Sequence, residues 1–390
     1  MNRLLAPLAA VLISASTLAA QPQLPAVDAA MRQAIADREI VGSVTVVATK
    51  DKITHLGLNG VANVEANRPM KADTLFWIAS MTKPVTGVAL LMLQDEGKLD
   101  VSDPVAKYIP EFAALKTPSG QPANLTIRQV MTHVSGLGEA SGAASGAARK
   151  LADLIPTYLA TPMQYEPGAR WKYTQSGINV GARIVEIVSG KSFDAFLQER
   201  LFTPLGMKDT TFYPNAQQIE RLATGYLKNQ GSGELEPVAT RRGVGTNDVP
   251  PYGHAGLYST GPDYARFAQM LLNGGTLDGK RYLSPAAYQL LTTPQTGDLP
   301  TGFFQTSAAS FGANYGWAIG TCVLRTPHEG AAEVLSPGTF GHGGAWGTQA
   351  WIDPVKGVAY ILMVQRTNHP NSDGSSFRRD FQRAASALAK

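Results

Sequence analysis

A serine and a lysine stand three residues apart in the segment Trp77–Lys83, at the start of an apolar run. In a helix, residues i and i+3 lie on one face about 5–6 Å apart, so the Lys83 amine can reach the Ser80 hydroxyl. A serine hydroxyl becomes an effective nucleophile when a base takes its proton, and burial lowers the pKa of a lysine so that it can be that base. The S-x-x-K pattern occurs once, about as often as chance predicts, so it needs support from elsewhere in the chain.

Two further segments carry side chains suited to act with this pair. Tyr173 and Gln175 follow the turn signal Glu166–Gly168, and His342 lies in the glycine-rich segment Phe340–Gly347, which the composition predicts to be an edge strand. A phenol and an imidazole both exchange protons in general acid–base catalysis. The sequence therefore predicts a nucleophile with several proton-transfer groups, brought together from three distant segments.

Strands at both ends of the chain must help to position these residues. β-Branched and aromatic residues alternate in short runs that are bounded by turn signals. The predicted strands are Val41–Val47 and Ile53–Val61, joined by Asp51-Lys52, and later 315–323, 347–353 and 357–365, with Asp353–Gly357 as a hairpin turn. One sheet assembled from the two chain ends follows from this arrangement.

Helices fill the rest of the pattern. Residues 26–38 have helical spacing, the stretch from Leu99 to about Gln295 is mainly helical, and Arg378–Lys390 forms an amphipathic helix. Within the long stretch, Val180–Val188 and Tyr264–Leu272 have the clearest helical pattern. We expect one lobe from residues 21–98 and 300–390, an inserted helical lobe from 99–299, and the site at their junction. Residues 138–150, rich in Gly, Ala and Ser, fit either a mobile loop near the entrance or a plain solvated connection.

The three segments, in this order, resemble the serine penicillin-recognising enzymes, which comprise class C β-lactamases, DD-peptidases and related esterases. The family pattern is S-x-x-K, then Y-x-N, then K or H in a glycine-containing strand. The resemblance runs from about residue 25 to the C-terminus and includes Met131–Leu137 and Gly256–Thr260. It implies an α/β fold, a β-lactamase-like α/β sandwich whose antiparallel sheet comes from both chain ends, with an inserted all-helical lobe.

The resemblance also implies roles for individual residues. Ser80 would attack an ester or amide carbonyl and form an acyl-enzyme, while Lys83 and Tyr173 move protons, Tyr173 as a phenolate stabilised by Lys83 and a second cation. The backbone N–H groups of Ser80 and Ala345 would form the oxyanion hole. Gly343 and Gly344 would let the strand approach the substrate closely.

The chain departs from the family pattern at two positions. Gln175 stands where the family has Asn, so its amide is displaced by one methylene from the expected contacts with Lys83 or a substrate carbonyl. His342 replaces the more usual lysine, and a histidine offers a weaker fixed positive charge to a substrate carboxylate. Both changes favour an esterase-like or broad hydrolase over an efficient β-lactamase, although ester, D-amino-acid peptide and β-lactam substrates all stay open.

Two other histidines are less informative. His133 is expected to be a satisfied, partly buried residue, and His254 either lines the cleft or does not. The six histidines and the single cysteine, Cys322, show no metal-ligand spacing, and no G-x-G-x-x-G segment is present. We expect no metal and no cofactor.

Composition and the N-terminal segment limit location and partners. Residues 1–20 have a cationic start at Arg3, an apolar centre and Ala19-Ala20, which predicts a secretory signal peptide and a periplasmic or secreted protein. No later segment approaches 18 uncharged apolar residues, so no permanent membrane span is expected. The net charge of +4 comes without a long basic block, which makes nucleic acid an improbable partner. A small ester, β-lactam or peptide is the expected partner, and the oligomeric state is open.

A rival interpretation is a penicillin-binding sensor that is acylated but does not turn over. The presence of Ser80, Lys83 and Tyr173 together argues against it. Steady product release distinguishes the enzyme from the sensor, which would give a single burst.

Overall fold

The computed structural model describes residues 24–239, 244, 248–302, 314–328, 332–369 and 375–387. The predicted signal peptide, residues 1–20, lies outside the described residues. Among the residues described, no helix is long and apolar enough to cross a membrane.

The strands cluster at the two ends of the chain. They are β1 (Gly42–Ala48), β2 (Ile53–Asn63), β3 (Arg68–Pro69), β4 (Phe76–Trp77), β5 (Gly225–Lys228), β6 (Leu235–Val238), β7 (Tyr258–Ser259), β8 (Thr276–Leu277), β9 (Lys280–Arg281), β10 (Tyr315–Trp317), β11 (Cys322–Leu324), β12 (Phe340–Gly343), β13 (Gln349–Asp353), β14 (Val358–Met363) and β15 (Arg366–Thr367). Eight of the described strands form one antiparallel sheet in the order β10-β11-β12-β13-β14-β1-β2-β3. The expected sheet from both chain ends is confirmed. The N-terminal and C-terminal strands join at the centre of the sheet, where Val44 of β1 pairs with Met363 of β14.

Alternation along the central strands places apolar side chains on both faces of this sheet, because successive residues of a strand point to opposite sides. Val44 and Val46 of β1 belong to one apolar core, whereas Val47 belongs to a second. On β14, Ile361 joins the first core and Tyr360 the second. A sheet with two buried faces needs a layer on each side.

Helices supply both layers. They are α1 (Pro25–Ala36), α2 (Thr82–Asp95), α3 (Ile127–Met131), α4 (Gly142–Ala147), α5 (Ile155–Leu159), α6 (Ser176–Ser189), α7 (Phe193–Leu197), α8 (Thr203–Leu205), α9 (Ala216–Glu220), α10 (Gly261–Leu272), α11 (Pro285–Thr292) and α12 (Ser376–Ser386). α1 and α12 pack on each other and cover one face, whereas α10 packs on β1 and β14 from the other side. The predicted helices in α1, α6 and α10 are confirmed.

The region between the sheet segments is mainly helical, but it is not all-helical. β5 and β6 pair with each other, and β5 pairs in parallel with β15 from the C-terminal part. The predicted all-helical lobe therefore needs this correction, and its cause is that two-to-four-residue strands leave almost no periodic signal.

Of three further predictions for the C-terminal part, two need correction and one is confirmed. The predicted strand 315–323 is two strands, β10 and β11, with a turn between them. The predicted edge strand around His342 is wrong, since β12 lies between β11 and β13 inside the sheet. The predicted C-terminal helix is present as α12. The last three residues of the predicted range, 388–390, lie outside the described residues.

Candidate active site

Ser80 lies in a tight turn that opens α2. Residues Ala79–Met81 form a short 3-10 helix, and α2 starts at Thr82, so the serine precedes the positive end of the helix. Ala79 has a φ of +45°, in a region that non-glycine residues rarely adopt. Strain of this kind persists where the surroundings hold it, here by the hydrogen bond of 2.7 Å from the Thr82 hydroxyl to the Ala79 carbonyl.

The structure brings the Lys83 amine to the Ser80 hydroxyl. Lys83 Nζ is 3.1 Å from Ser80 Oγ, and it also donates to the His254 carbonyl oxygen at 2.9 Å. Lys83 is fully buried. Desolvation lowers the pKa of the amine from 10.5 to about 7, although the negative charge of Glu139 opposes this shift. The amine is therefore substantially unprotonated near neutral pH and can accept a proton.

Tyr173 packs against the same amine. Lys83 Nζ is 4.5 Å from the centre of the Tyr173 ring, and the Tyr173 hydroxyl is hydrogen-bonded to Ser80. Burial raises the pKa of Tyr173 far above its ordinary value of 10. The phenolate expected from the sequence is thus disfavoured, and Tyr173 rests as a neutral phenol.

His342 completes this group from strand β12. Its Nε2 is 3.5 Å from the Tyr173 hydroxyl, at the limit of hydrogen bonding, and its Nδ1 is 2.7 Å from the Gly343 carbonyl oxygen. The carbonyl can only accept, so Nδ1 carries the proton. Burial, with the nearby Lys83 charge, lowers the pKa of His342 well below 6.5. His342 is neutral at pH 7 and does not supply the second cation that the phenolate hypothesis needed.

The turn after β12 lies directly against the chain that leads to Ser80. A Cβ atom on Gly344 would be 2.6 Å from the Ile78 carbonyl oxygen, so only glycine allows this approach. Ala345, which follows, is exposed. This contact brings the turn that contains Gly344 against Ile78, which precedes the turn that carries Ser80.

A buried arginine that the sequence analysis missed fixes this turn. Arg378 of α12 donates from Nη2 to the carbonyl oxygens of Gly344 at 2.6 Å and Thr348 at 3.0 Å, and from Nε to that of Gly347 at 3.2 Å. Its side chain is buried. The local sequence does not distinguish Arg378 from the adjacent Arg379. The apolar face of the helix is the only indication that Arg378 is the one that points inward.

Gln175 does not make the contact expected of it. Its side chain is exposed, and within the described part of the chain Lys83 bonds Ser80 and His254 instead. The backbone N–H of Gln175 donates to the Glu139 carboxylate, and the N–H of Ser176 donates to the same carboxylate at 3.1 Å. Glu139 thus caps α6. This role could not be predicted from the sequence, because a carboxylate so far from the helix gives no capping pattern.

His133 and His254, the two other histidines considered from the sequence, differ in exposure. His133 is fully buried, not partly, and its Nδ1 accepts from the Thr174 N–H at 3.2 Å while its ring packs 4.7 Å from that of Tyr173. Its Nε2 has no hydrogen-bond partner among the described residues, so the expectation of a satisfied histidine is wrong for that atom. His254 lines the cleft, and its Nδ1 is 3.0 Å from Asn179 Oδ1.

A cavity of about 470 Å³ opens beside these groups. The residues that line it include Tyr173, Gln175, His254, Glu139 and Ser145. Glu139, Ala140 and Ser145 of the region 138–150 therefore border the cavity, and Gly142–Ala147 within it form α4.

A serine with a buried lysine and a tyrosine, set between an antiparallel sheet and a mainly helical region, defines the class of β-lactamase-related serine hydrolases. The Beta-lactamase family model matches residues 27–385. The chain belongs to that family and is a serine hydrolase of the β-lactamase fold.

Known proteins agree with this assignment. Protein Rv1367c of Mycobacterium tuberculosis is 34% identical over 350 residues, which cover 83% of this chain and 85% of that protein. Esterase EstB of Burkholderia gladioli is 29% identical over 380 residues, which cover 90% of this chain and 91% of EstB. The solved structure of EstCE1, a hydrolase with promiscuous acyltransferase activity, superposes with a TM-score of 0.77 at 22% identity and covers 93% of this chain and 97% of its own. At that identity the EstCE1 likeness shows the fold.

Proposed function

We propose that the protein hydrolyses uncharged or cationic carboxylic esters through an acyl-enzyme on Ser80. The observation that carries the proposal is the Lys83 amine, which lies 3.1 Å from the Ser80 hydroxyl with a pKa of about 7. The relative EstB is named an esterase, which supports an ester as the substrate.

In the first step, Lys83 takes the Ser80 proton while the serine oxygen bonds to the ester carbonyl carbon. The carbonyl oxygen becomes an oxyanion, which the N–H groups of Ser80 and Ala345 would stabilise. Tyr173, a neutral phenol against both Ser80 and Lys83, passes its proton to the departing alkoxide and regains one from Lys83. The products of this step are an alcohol and a Ser80 ester.

In the second step, water attacks the Ser80 ester. Lys83, again unprotonated, accepts the proton of the water through the Tyr173 hydroxyl. The Ser80 oxygen then leaves the carbonyl carbon and takes this proton back from Lys83. The carboxylic acid is released, and no cofactor takes part in either step.

The preference for substrates without a negative charge comes from His342. A buried, neutral imidazole offers no fixed positive charge to the carboxylate of a β-lactam or of a D-peptide. Gln175, exposed and away from Lys83, also leaves the family's amide contact unmade. Both observations support esters over the β-lactamase and D-amino-acid peptidase alternatives.

A substrate panel tests the proposal. Purified protein and its Ser80→Ala variant are compared on a short p-nitrophenyl ester, a chromogenic cephalosporin and a D-Ala-D-Ala peptide. Steady, Ser80-dependent release from the ester is the expected result. A stoichiometric burst with no turnover on any substrate would instead favour the penicillin-binding sensor. Export through residues 1–20 is part of the proposal, and the N-terminal mass of protein recovered from a bacterial periplasm tests it.

A further inference from the structure

The cavity beside Tyr173 has walls of an unusual composition. Three further aromatic side chains, Trp77, Tyr158 and Tyr252, line it, and Glu139 supplies the only carboxylate among the described residues of the lining. The volume, about 470 Å³, is in the range of small-molecule sites. Aromatic rings around a carboxylate are suited to a positively charged group, since both attract cations.

The polar atoms of these rings are engaged with the protein. Trp77 Nε1 donates to the Ala255 carbonyl at 2.6 Å, and the Tyr252 hydroxyl donates to the Ser145 carbonyl at 2.9 Å. The Tyr158 hydroxyl accepts from Asn179 Nδ2, also at 2.9 Å. With these atoms occupied, the rings offer the cavity mainly carbon surface. That surface can hold the methyl or methylene groups around an ammonium nitrogen.

Glu139 is held rigidly at the cavity wall. Its two oxygens accept the N–H groups of Gln175, which precedes α6, and of Ser176, its first residue. Helix capping by itself is normally met by a short Ser, Thr, Asp or Asn next to the helix. Here the cap is a carboxylate delivered from another segment, and the same side chain also lines the cavity.

The charge of Glu139 is incompletely compensated. It forms no ion pair with any residue of the described ranges, and burial raises its pKa against the opposing effect of its amide hydrogen bonds. The two cations that act on it are Lys83, which has a pKa of about 7, and Lys172, which is exposed and donates to Gln164 at 2.5 Å. A cation entering the cavity would complete this balance.

We infer that the cavity is a subsite for an ammonium group of the substrate, with Glu139 as the counter-charge and Trp77, Tyr158 and Tyr252 as its walls. The inference rests on the proposed esterase function and narrows its substrates to esters that carry a quaternary or alkylated ammonium. The same carboxylate repels anionic substrates, which adds to the effect of the neutral His342.

Isosteric ester pairs test this subsite in the wild-type protein. p-Nitrophenyl 4-(trimethylammonio)butanoate and p-nitrophenyl 5,5-dimethylhexanoate have the same shape. The acyl chain of the first ends in a trimethylammonium group, and that of the second ends in an uncharged tert-butyl group. Acetylcholine and 3,3-dimethylbutyl acetate place the same difference on the alcohol, because an ester can enter the cleft in two directions. We expect kcat/KM to favour the cation by about tenfold in at least one pair. Equal rates within both pairs would overturn the inference and leave the esterase proposal standing.

Three variants assign the preference to Glu139. Glu139→Gln should bring the ratio of charged to neutral kcat/KM close to one, and Glu139→Asp should retain most of it. Asp153→Asn is the matched control, because Asp153 also accepts two successive backbone N–H groups, those of Arg149 and Lys150, but lies outside the cavity. A preference that survives in Glu139→Gln would overturn the assignment.

A binding arm separates this inference from the proposed reaction. Calorimetric titration of Ser80→Ala with acetylcholine and with 3,3-dimethylbutyl acetate, and of Ser80→Ala/Glu139→Gln with both, needs no turnover. Tighter binding of the cation by about tenfold, lost in the double variant, supports the subsite even if no ester is hydrolysed. Equal binding, together with equal rates in both wild-type pairs, would reject it.

Discussion

The Lys83 amine nitrogen lies 3.1 Å from the Ser80 hydroxyl oxygen at a place where the lysine side chain is fully buried. The burial has two consequences for the protein. Burial makes the amine a base near neutral pH, because its pKa falls to about 7. It also makes the folded state bind a proton less readily than the unfolded chain does. Both effects can be measured separately.

The first prediction concerns the pH dependence of hydrolysis. The value of kcat/KM for an uncharged ester should rise tenfold per pH unit below about pH 7 and level off above it, because the amine must be unprotonated to take the Ser80 proton. Initial rates from pH 5.5 to 9 measure this profile. A flat profile would show that Lys83 is not the base. Lys83→Arg, which keeps the positive charge, should be inactive throughout the range.

The second prediction concerns stability. Unfolded Lys83 has a pKa of 10.5 and folded Lys83 of about 7, so between these values the unfolded chain binds more protons and stability rises with pH. The cost of burying the lysine is complete below pH 7 and vanishes above pH 10.5. Lys83→Met should therefore raise the Tm more at pH 6.5 than at pH 9.5. The exposed Lys50→Met is the control, and an equal effect of Lys83→Met at both pH values would contradict the buried amine.

The third prediction tests whether Lys83 and Tyr173 act together. Lys83→Ala and Tyr173→Phe should each lower kcat/KM by about two orders of magnitude or more, and the double variant should be little worse than either. The reason is that one proton passes between Ser80, Lys83 and Tyr173, so the loss of any member interrupts it. Steady-state kinetics on a neutral ester measures all three variants. Additive losses would assign the two residues independent roles.

The fourth prediction concerns substrate charge at position 342. His342 is buried and neutral, so His342→Lys would introduce an amine that can carry a charge. The ratio of kcat/KM for a cephalosporin to that for a neutral ester should rise by about tenfold, or roughly 1.4 kcal/mol, at pH 7. If the ratio is unchanged while both activities persist, position 342 does not sense the substrate carboxylate.

The fifth prediction concerns Arg378 as a positioning residue. Arg378→Met removes the hydrogen bonds to three carbonyls of the turn that carries Ala345, so kcat should fall by about tenfold or more while KM changes less than about twofold. The midpoint of the pH profile should stay near 7, because the Lys83 environment is retained. A fall in Tm with unchanged kcat would mean that Arg378 stabilises the fold without positioning the oxyanion hole. Arg379→Met, at the half-buried neighbour that makes none of these bonds to the turn, serves as the control.

The sequence predicted the parts of the site that depend on local spacing. Ser80 and Lys83 were predicted from their spacing of three residues, and Tyr173 and His342 from their motifs. The structure brings all four side chains together. The protonation of Tyr173 could not be predicted in the same way. It depends on how deeply the side chain is buried and on whether a neighbour is charged, and both are set by residues far away in the chain.

The residues that the sequence did not reveal act across long separations. Glu139 caps a helix that begins at Ser176, and Arg378 bonds a turn at Gly344. Neither contact follows a repeat of two or of 3.6 residues, so periodicity gives no signal for them. The edge-strand error at His342 has the same origin, because the neighbours of β12 in the sheet are a matter of topology.

The pairing of β1 with β14 also determines when the site can exist during synthesis. Val44 is made long before its partner Met363, so the centre of the sheet forms only after the chain has been made as far as Met363. His342 lies shortly before Met363 in the chain, and Arg378 follows it. Such non-local pairing folds slowly, since the chain must lose much of its freedom before the contacts form. A nascent chain therefore carries Ser80 without its completed surroundings, and covalent labelling of Ser80 would report the end of folding.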